Sequence, residues 1–120
     1  MRFTVAFLAT FLSMAALNVQ ADISITSPVE GTRWYINSLA TVNWRIISEE
    51  PEDASAMIEL RRGNPNSLQT VEVLTDGVQV DDKSFSWKVP AKTQPGKDYA
   101  ILVKINGKDF YSHMFEIANK

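Results

Sequence analysis

Cysteine is absent from the 120-residue sequence, and histidine occurs once, as His113. The first absence excludes a disulfide-stapled miniprotein, and the two together exclude a Cys/His metal site. No Asn-x-Ser/Thr sequon is present, so N-glycosylation is not expected. An excess of basic charge is missing too. Twelve Lys and Arg stand against 14 Asp and Glu, for a formal net charge of −2, whereas a nucleic-acid binder usually shows a basic stripe. The longest apolar stretch, Phe3 to Leu17, is 15 residues, short of the roughly 20 that a membrane span needs. No second such stretch follows, so neither a transmembrane helix nor a GPI signal is expected. A charged fraction of 22% is ordinary for a globular domain, and the length allows one domain at most.

The apolar stretch reads instead as a targeting segment. Arg2 supplies a positive n-region, and only Thr4, Thr10 and Ser13 interrupt the apolar or small residues from Phe3 to Leu17. Val19-Gln20-Ala21 then puts small residues at the −3 and −1 positions of a cleavage site, the pattern of a secretory signal peptide over residues 1–21. Cleavage after Ala21 would leave a single mature domain, residues 22–120, secreted to an extracellular or cell-wall location and with no membrane contact of its own.

No sustained i, i+3, i+4, i+7 apolar pattern runs through the remaining sequence; period-2 alternation does. Ala40, Val42, Trp44 and Ile46 alternate with Thr41, Asn43 and Arg45. Phe85, Trp87 and Val89 repeat the pattern, as do Tyr99, Ile101, Val103 and Ile105, and Phe115 and Ile117. Weaker runs lie at Ile23–Ile25, at Ile58 and Leu60, and at Thr70–Leu74, which is rich in β-branched residues. Turn signals separate them at Glu30-Gly31, Gly63-Asn64-Pro65, Asp76-Gly77, Pro95-Gly96 and Asn106-Gly107. The last predicts a type I′ hairpin, whose two central residues need positive φ. About seven short strands with no intervening helix predict an all-β fold, an antiparallel β-sandwich of immunoglobulin or fibronectin-III type. Tyr99, just after Pro95-Gly96 at the start of a late strand, stands where a tyrosine corner would sit.

The order Ile23-Ser24-Ile25-Thr26-Ser27-Pro28, Gly31-Thr32-x-Trp34, Val42-Asn43-Trp44 resembles the N-terminal domain of fungal cell-wall proteins of β-1,6-glucan assembly. That domain also occurs in Ser/Thr-rich, GPI-anchored fungal surface proteins. Phe85-Ser86-Trp87-x-Val89-Pro90, Gly96-x-x-Tyr99-x-Ile101 and Tyr111-Ser112-x-x-Phe115-x-Ile117 continue the likeness over nearly all of residues 22–120. The resemblance implies the sandwich fold and a fungal extracellular setting. Members often have Gly a few residues after the tryptophan; Asn37 stands nearest here, and Asn tolerates a left-handed backbone. Members often carry a long Ser/Thr-rich stalk and an anchor as well, whereas this sequence ends three residues after Ile117, so retention on a wall is expected to depend on non-covalent contacts.

Catalysis is not expected. A Ser-His-Asp triad would have to use His113, and no nucleophile-elbow motif is present. Copper-dependent oxidation of polysaccharides by secreted sandwiches uses an N-terminal histidine and a second one, but Asp22 would be the mature N-terminus and there is no second histidine. Glycoside hydrolysis needs two carboxylates about 5–9.5 Å apart. Glu49, Glu50, Glu52 and Asp53, or Asp81 and Asp82, could supply them, but such clusters ordinarily keep loops solvated. Calcium at either cluster would need a spaced loop motif that is missing. No catalytic residue, metal or cofactor is therefore assigned.

Binding is the remaining class. The aromatic candidates for packing on sugar rings are Trp34, Tyr35, Trp44, Trp87, Phe110 and Tyr111. Trp44 and Trp87 belong to apolar rows and read as core. Trp34 and Tyr35 lie in a connection beside Arg33 and are the candidate ligand-binding pair. Adjacent residues of an extended segment point opposite ways, and the resemblance turns Trp34 inward, which leaves Tyr35 as the better surface candidate. If Ile58, Leu60, Ile101, Val103, Phe115 and Ile117 face inward, then Met57, Glu59, Arg61, Leu102, Lys104, Met114 and Glu116 face out, on strands C, F and G of an immunoglobulin order. Met57, Leu102 and Met114, with Arg61 and Lys104, would then form an apolar interaction face rimmed by charge. A bulge near Tyr111 would change the faces of Phe110 and His113. The sequence thus predicts a secreted, non-catalytic binding or scaffolding module of the fungal cell wall, with β-glucan or a wall protein as partner and no nucleic acid. The alternatives are a protein-interaction or self-associating module forming a homo-oligomer, and a small glycan-active hydrolase built on loop carboxylates.

Overall fold

The computed structural model describes residues 22–48 and 54–120. The signal peptide assigned to residues 1–21 and the carboxylates Glu49, Glu50, Glu52 and Asp53 lie outside them. Among the described residues nine strands form: β1 (Asp22–Ser27), β2 (Arg33–Tyr35), β3 (Leu39–Ser48), β4 (Ser55–Arg62), β5 (Gln69–Gln79), β6 (Ser84–Lys88), β7 (Gly96–Ile105), β8 (Lys108–Tyr111) and β9 (Phe115–Ala118). They build a three-stranded sheet, β1-β3-β6, facing a six-stranded one, β2-β9-β7-β4-β5 with β8 also on β7. This is the expected sandwich, and each predicted apolar run falls in a strand except for Val89, which lies just past the end of β6.

Seven strands become nine for two reasons. The three-residue β2 is too short to show alternation. It is recruited by β9 in parallel, Trp34 opposite Ile117, and an Arg33–Glu116 ion pair of 3.0 Å reinforces the pairing. The second reason is a break in the last predicted strand. Phe110 faces inward, opposite Val103, and Phe115 faces inward, opposite Tyr99. Five residues separate them, an odd number, whereas strict alternation returns a side chain to the same face only after an even number. The extra residue is accommodated at Ser112–Met114, between β8 and β9. There Ser112 replaces part of the ladder. Its amide donates to the Ile101 carbonyl (2.8 Å), and its hydroxyl accepts from the Ile101 amide (2.8 Å) while donating to the His113 carbonyl (2.8 Å).

The turn expected at Asp76-Gly77 does not form. Both residues lie inside β5, whose pairing with β4 shifts register at three places. Bulges absorb the surplus residues, and the strand continues because all of β4 offers it a ladder. The other special turns follow the sequence. Asn106 and Gly107 have φ of 51° and 81°, as a type I′ hairpin requires, and Asn37 takes a left-handed φ of 68°.

The core lies between the sheets. Ile58, Leu60, Ile101, Val103, Phe115 and Ile117 are at most 3% exposed. The ring of Trp34 packs 4.6 Å from Phe115 and 6.0 Å, edge-on, from Trp87. Trp44 donates its indole N–H to the Val80 carbonyl at 2.9 Å, which satisfies its one polar atom inside the core. Tyr99 is buried, and its hydroxyl donates to the Gln94 carbonyl five residues upstream. That is a tyrosine corner, closing the connection from β6 onto β7.

Candidate functional site

The outer face of the larger sheet carries an open cleft of about 530 Å³. Arg61 of β4 and the Pro65–Leu68 turn form one wall, Tyr111, Ser112, His113 and Met114 form the other, and Ala100 of β7 is the floor. Each part has a local cause. Alternation on β7 turns Ala100 outward between the inward Tyr99 and Ile101, and its small side chain leaves depth. The bulge lifts His113 and Met114 out of the ladder. Gly63, at φ 121°, turns the chain out of β4. The Asn64 side chain then accepts from the Asn66 amide (2.8 Å), and the Ser67 amide bonds the Asn64 carbonyl (2.8 Å), which fixes the turn.

Arg61 ties this wall to the sheet. Its guanidinium donates to Glu59 (3.0 Å), to the Thr70 hydroxyl (2.9 Å) and to the Leu68 carbonyl (2.9 Å), and Thr70 donates to Glu59 (2.8 Å). Glu59 is the buried charge of the described core residues, 7% exposed. Burial alone would raise its carboxyl. Hydrogen bonds from Thr70 and Arg61 and the charges of Lys104 and Arg61 outweigh that, so it titrates below its ordinary value. A carboxyl depressed in the folded state stabilises above its unfolded pKa, and the contribution is lost as the pH falls through the folded one. Denaturant midpoints measured across acid pH are therefore expected to fall below about pH 4, and Glu59→Gln should flatten that limb. An unaltered acid slope in the variant would rule Glu59 out as its source.

The sequence-predicted sites map unevenly onto this face. Arg61 and Met114 line the cleft. Met57 and Lys104 are partly buried and paired with each other further along the same face. Leu102 is not part of an exposed patch as expected: it is 0% exposed. Register sets it between Glu59 of β4 and Tyr111 of β8, and the Glu59–Arg61–Thr70 network and the tyrosine lie over that part of the sheet. Trp34 must likewise be corrected. At 7% exposure, against Phe115 and Trp87, it is a core residue with no face free for a ligand. Tyr35 does point outward, but it is half-buried at the β2 edge and does not line the cleft.

Tyr111, 48% exposed, is the aromatic ring that the cleft presents to solvent. Asn66, Ser67, Leu68 and His113 join it, and none of these was marked by the periodicity, because they sit in a turn and a bulge. Asp81 and Asp82 occupy an exposed 3₁₀ turn. Among the described residues no group of three or more His, Cys, Asp or Glu is placed to hold a metal ion.

A family model described as Kre9/KNH-like N-terminal Ig-like domain matches residues 27–117. No curated protein matches the sequence.

Proposed function

The chain belongs to the Kre9/KNH-like N-terminal Ig-like domain family, and from that premise we propose that it is a secreted, non-catalytic binding module of the fungal cell wall whose outer-face cleft takes a wall glycan. The family is associated with the fungal cell wall and its glucan, and the apolar segment ending at Val19-Gln20-Ala21 supports export.

One observation carries the reading. The cleft sets the half-exposed Tyr111 ring and the apolar Leu68 and Met114 beside the uncharged hydrogen-bonding groups of Asn66, Ser67 and Ser112. A sugar presents the same two surfaces, an apolar C–H face and a rim of hydroxyls. Pockets that combine apolar lining with a few placed polar groups are the usual form of small-ligand sites. Glu59 bonds Arg61 and Thr70 beside the cleft, which supports a part in holding the wall of the site.

The test is retention of the protein, recovered from a secreting host, on isolated β-glucan, chitin, mannan and extracted wall protein. Saturable retention on one polysaccharide is expected. Tyr111→Ala should weaken it by about 1–2 kcal/mol, roughly tenfold. Absence of retention on every polysaccharide would sink the glycan reading.

A protein partner is the second reading, favoured by the exposed Val71 and Val73 on the edge strand β5. The register shifts along β5 disrupt the flat edge that simple strand addition would use. Retention on the wall-protein fraction alone would select this reading.

A further inference from the structure

We infer that the Tyr111 cleft is one half of a longer groove, built for a linear neutral oligosaccharide that passes over the His113–Met114 ridge into a second subsite. The inference rests on the glycan reading and adds the length and direction of the occupant. A second cleft of about 390 Å³ is lined by Glu30, Lys97, His113 and Met114. His113 and Met114 line both clefts, so the bulge separates two hollows that meet at the same two side chains.

The path runs across the strands, not along them. It leads from the Pro65–Leu68 turn past Arg61 on β4 and Ala100 on β7, over the bulge before β9, to Glu30 in the β1–β2 connection. Strands β4, β7 and β9 are neighbours in the sheet, with β2 next. At about 4.8 Å per strand interval, the crossing from β4 to β2 is roughly 14 Å before the flanking turns are added. A single sugar can occupy only one hollow at a time, and only a chain of several units reaches both.

The chemistry of the lining selects the class. The Arg61 charge is already matched by Glu59 at 3.0 Å. Glu30 and Lys97 contribute one charge of each sign, and the groups between them are a tyrosine, an amide, hydroxyls, an imidazole and a thioether. A polyanion would meet no surplus of positive charge, whereas a neutral polyhydroxyl chain finds donors and acceptors along the whole path. The ridge is held in place by the three hydrogen bonds of Ser112 to Ile101 and His113, so the groove is formed before any ligand arrives.

Titration with linear β-linked gluco-oligosaccharides of two to eight units, followed by calorimetry or NMR shifts, tests this. Affinity is expected to rise at least tenfold between two and about five units and then level off. Lys97→Ala, at an exposed position, should weaken the long oligomers three- to tenfold and leave the disaccharide unchanged, while Tyr111→Ala weakens both. Equal affinity at all lengths, or equal loss at all lengths in Lys97→Ala, overturns the two-subsite groove while leaving the glycan reading intact. No binding at any length overturns the groove, and the glycan reading falls with it only if chitin, mannan and β-glucan also fail to retain the protein.

Discussion

Replacing Trp34 with alanine is expected to cost the domain about 3–5 kcal/mol, the range for deleting a large aromatic from a packed interior. The ring is 7% exposed and sits between Phe115 and Trp87. Its removal loses the transfer free energy of the side chain and leaves a cavity that the two sheets cannot close, because β2 is also hydrogen-bonded to β9 on either side of it. For a domain near 100 residues each kcal/mol lowers Tm by about 4–8 °C, so a drop well beyond 10 °C should appear in a thermal melt. Glycan retention measured on the fraction that stays folded should be unchanged. A variant that melts within a few degrees of wild type, yet loses retention, would return Trp34 to the surface role that its position next to Tyr35 suggests.

Leu102→Asp is expected to prevent folding altogether. Were Leu102 on an exposed interaction face, a charge there would break a complex and spare the domain. The structure reverses that expectation. Leu102 is 0% exposed, and its cross-strand neighbour on β4 is Glu59. A second carboxylate would be buried without a partner beside a first that already draws on Thr70, Arg61 and Lys104. Uncompensated buried charge is among the few causes of losses above about 4–5 kcal/mol, comparable to the whole stability of many small domains. Leu102→Ala, which only deletes volume, should cost about 2–5 kcal/mol and leave a folded, less stable protein. The pair is checked by soluble yield and urea denaturation. A soluble Leu102→Asp with a near-native midpoint would mean that the residue is open to water.

What the sequence determined by itself is the inner side of this protein. Period-2 rows such as Ala40, Val42 and Trp44, or Tyr99, Ile101 and Val103, state which side chains face the core, because a strand has only two faces and the alternation is a local property. Turns that depend on one or two residues were legible for the same reason: Asn106-Gly107 and Asn37 take the positive φ that their residue types tolerate, and Tyr99 reaches a carbonyl only five residues away. Asp76-Gly77 has the sequence of a turn and yet stays extended, because a dipeptide carries no information about the long partner strand that holds it.

Only the tertiary structure decided the outer side. Alternation pointed Leu102 outward correctly, but exposure depends on what lies across it. The neighbours, Glu59 and Tyr111, come from strands 43 residues before and 9 after it in sequence. The cleft has the same origin. Its walls are a turn after β4 and a bulge between β8 and β9, two irregular segments that carry no periodicity, brought opposite each other by the pairing of both with β7. Local alternation fixes faces; the order of strands in the sheet fixes which faces are covered and where a hollow remains.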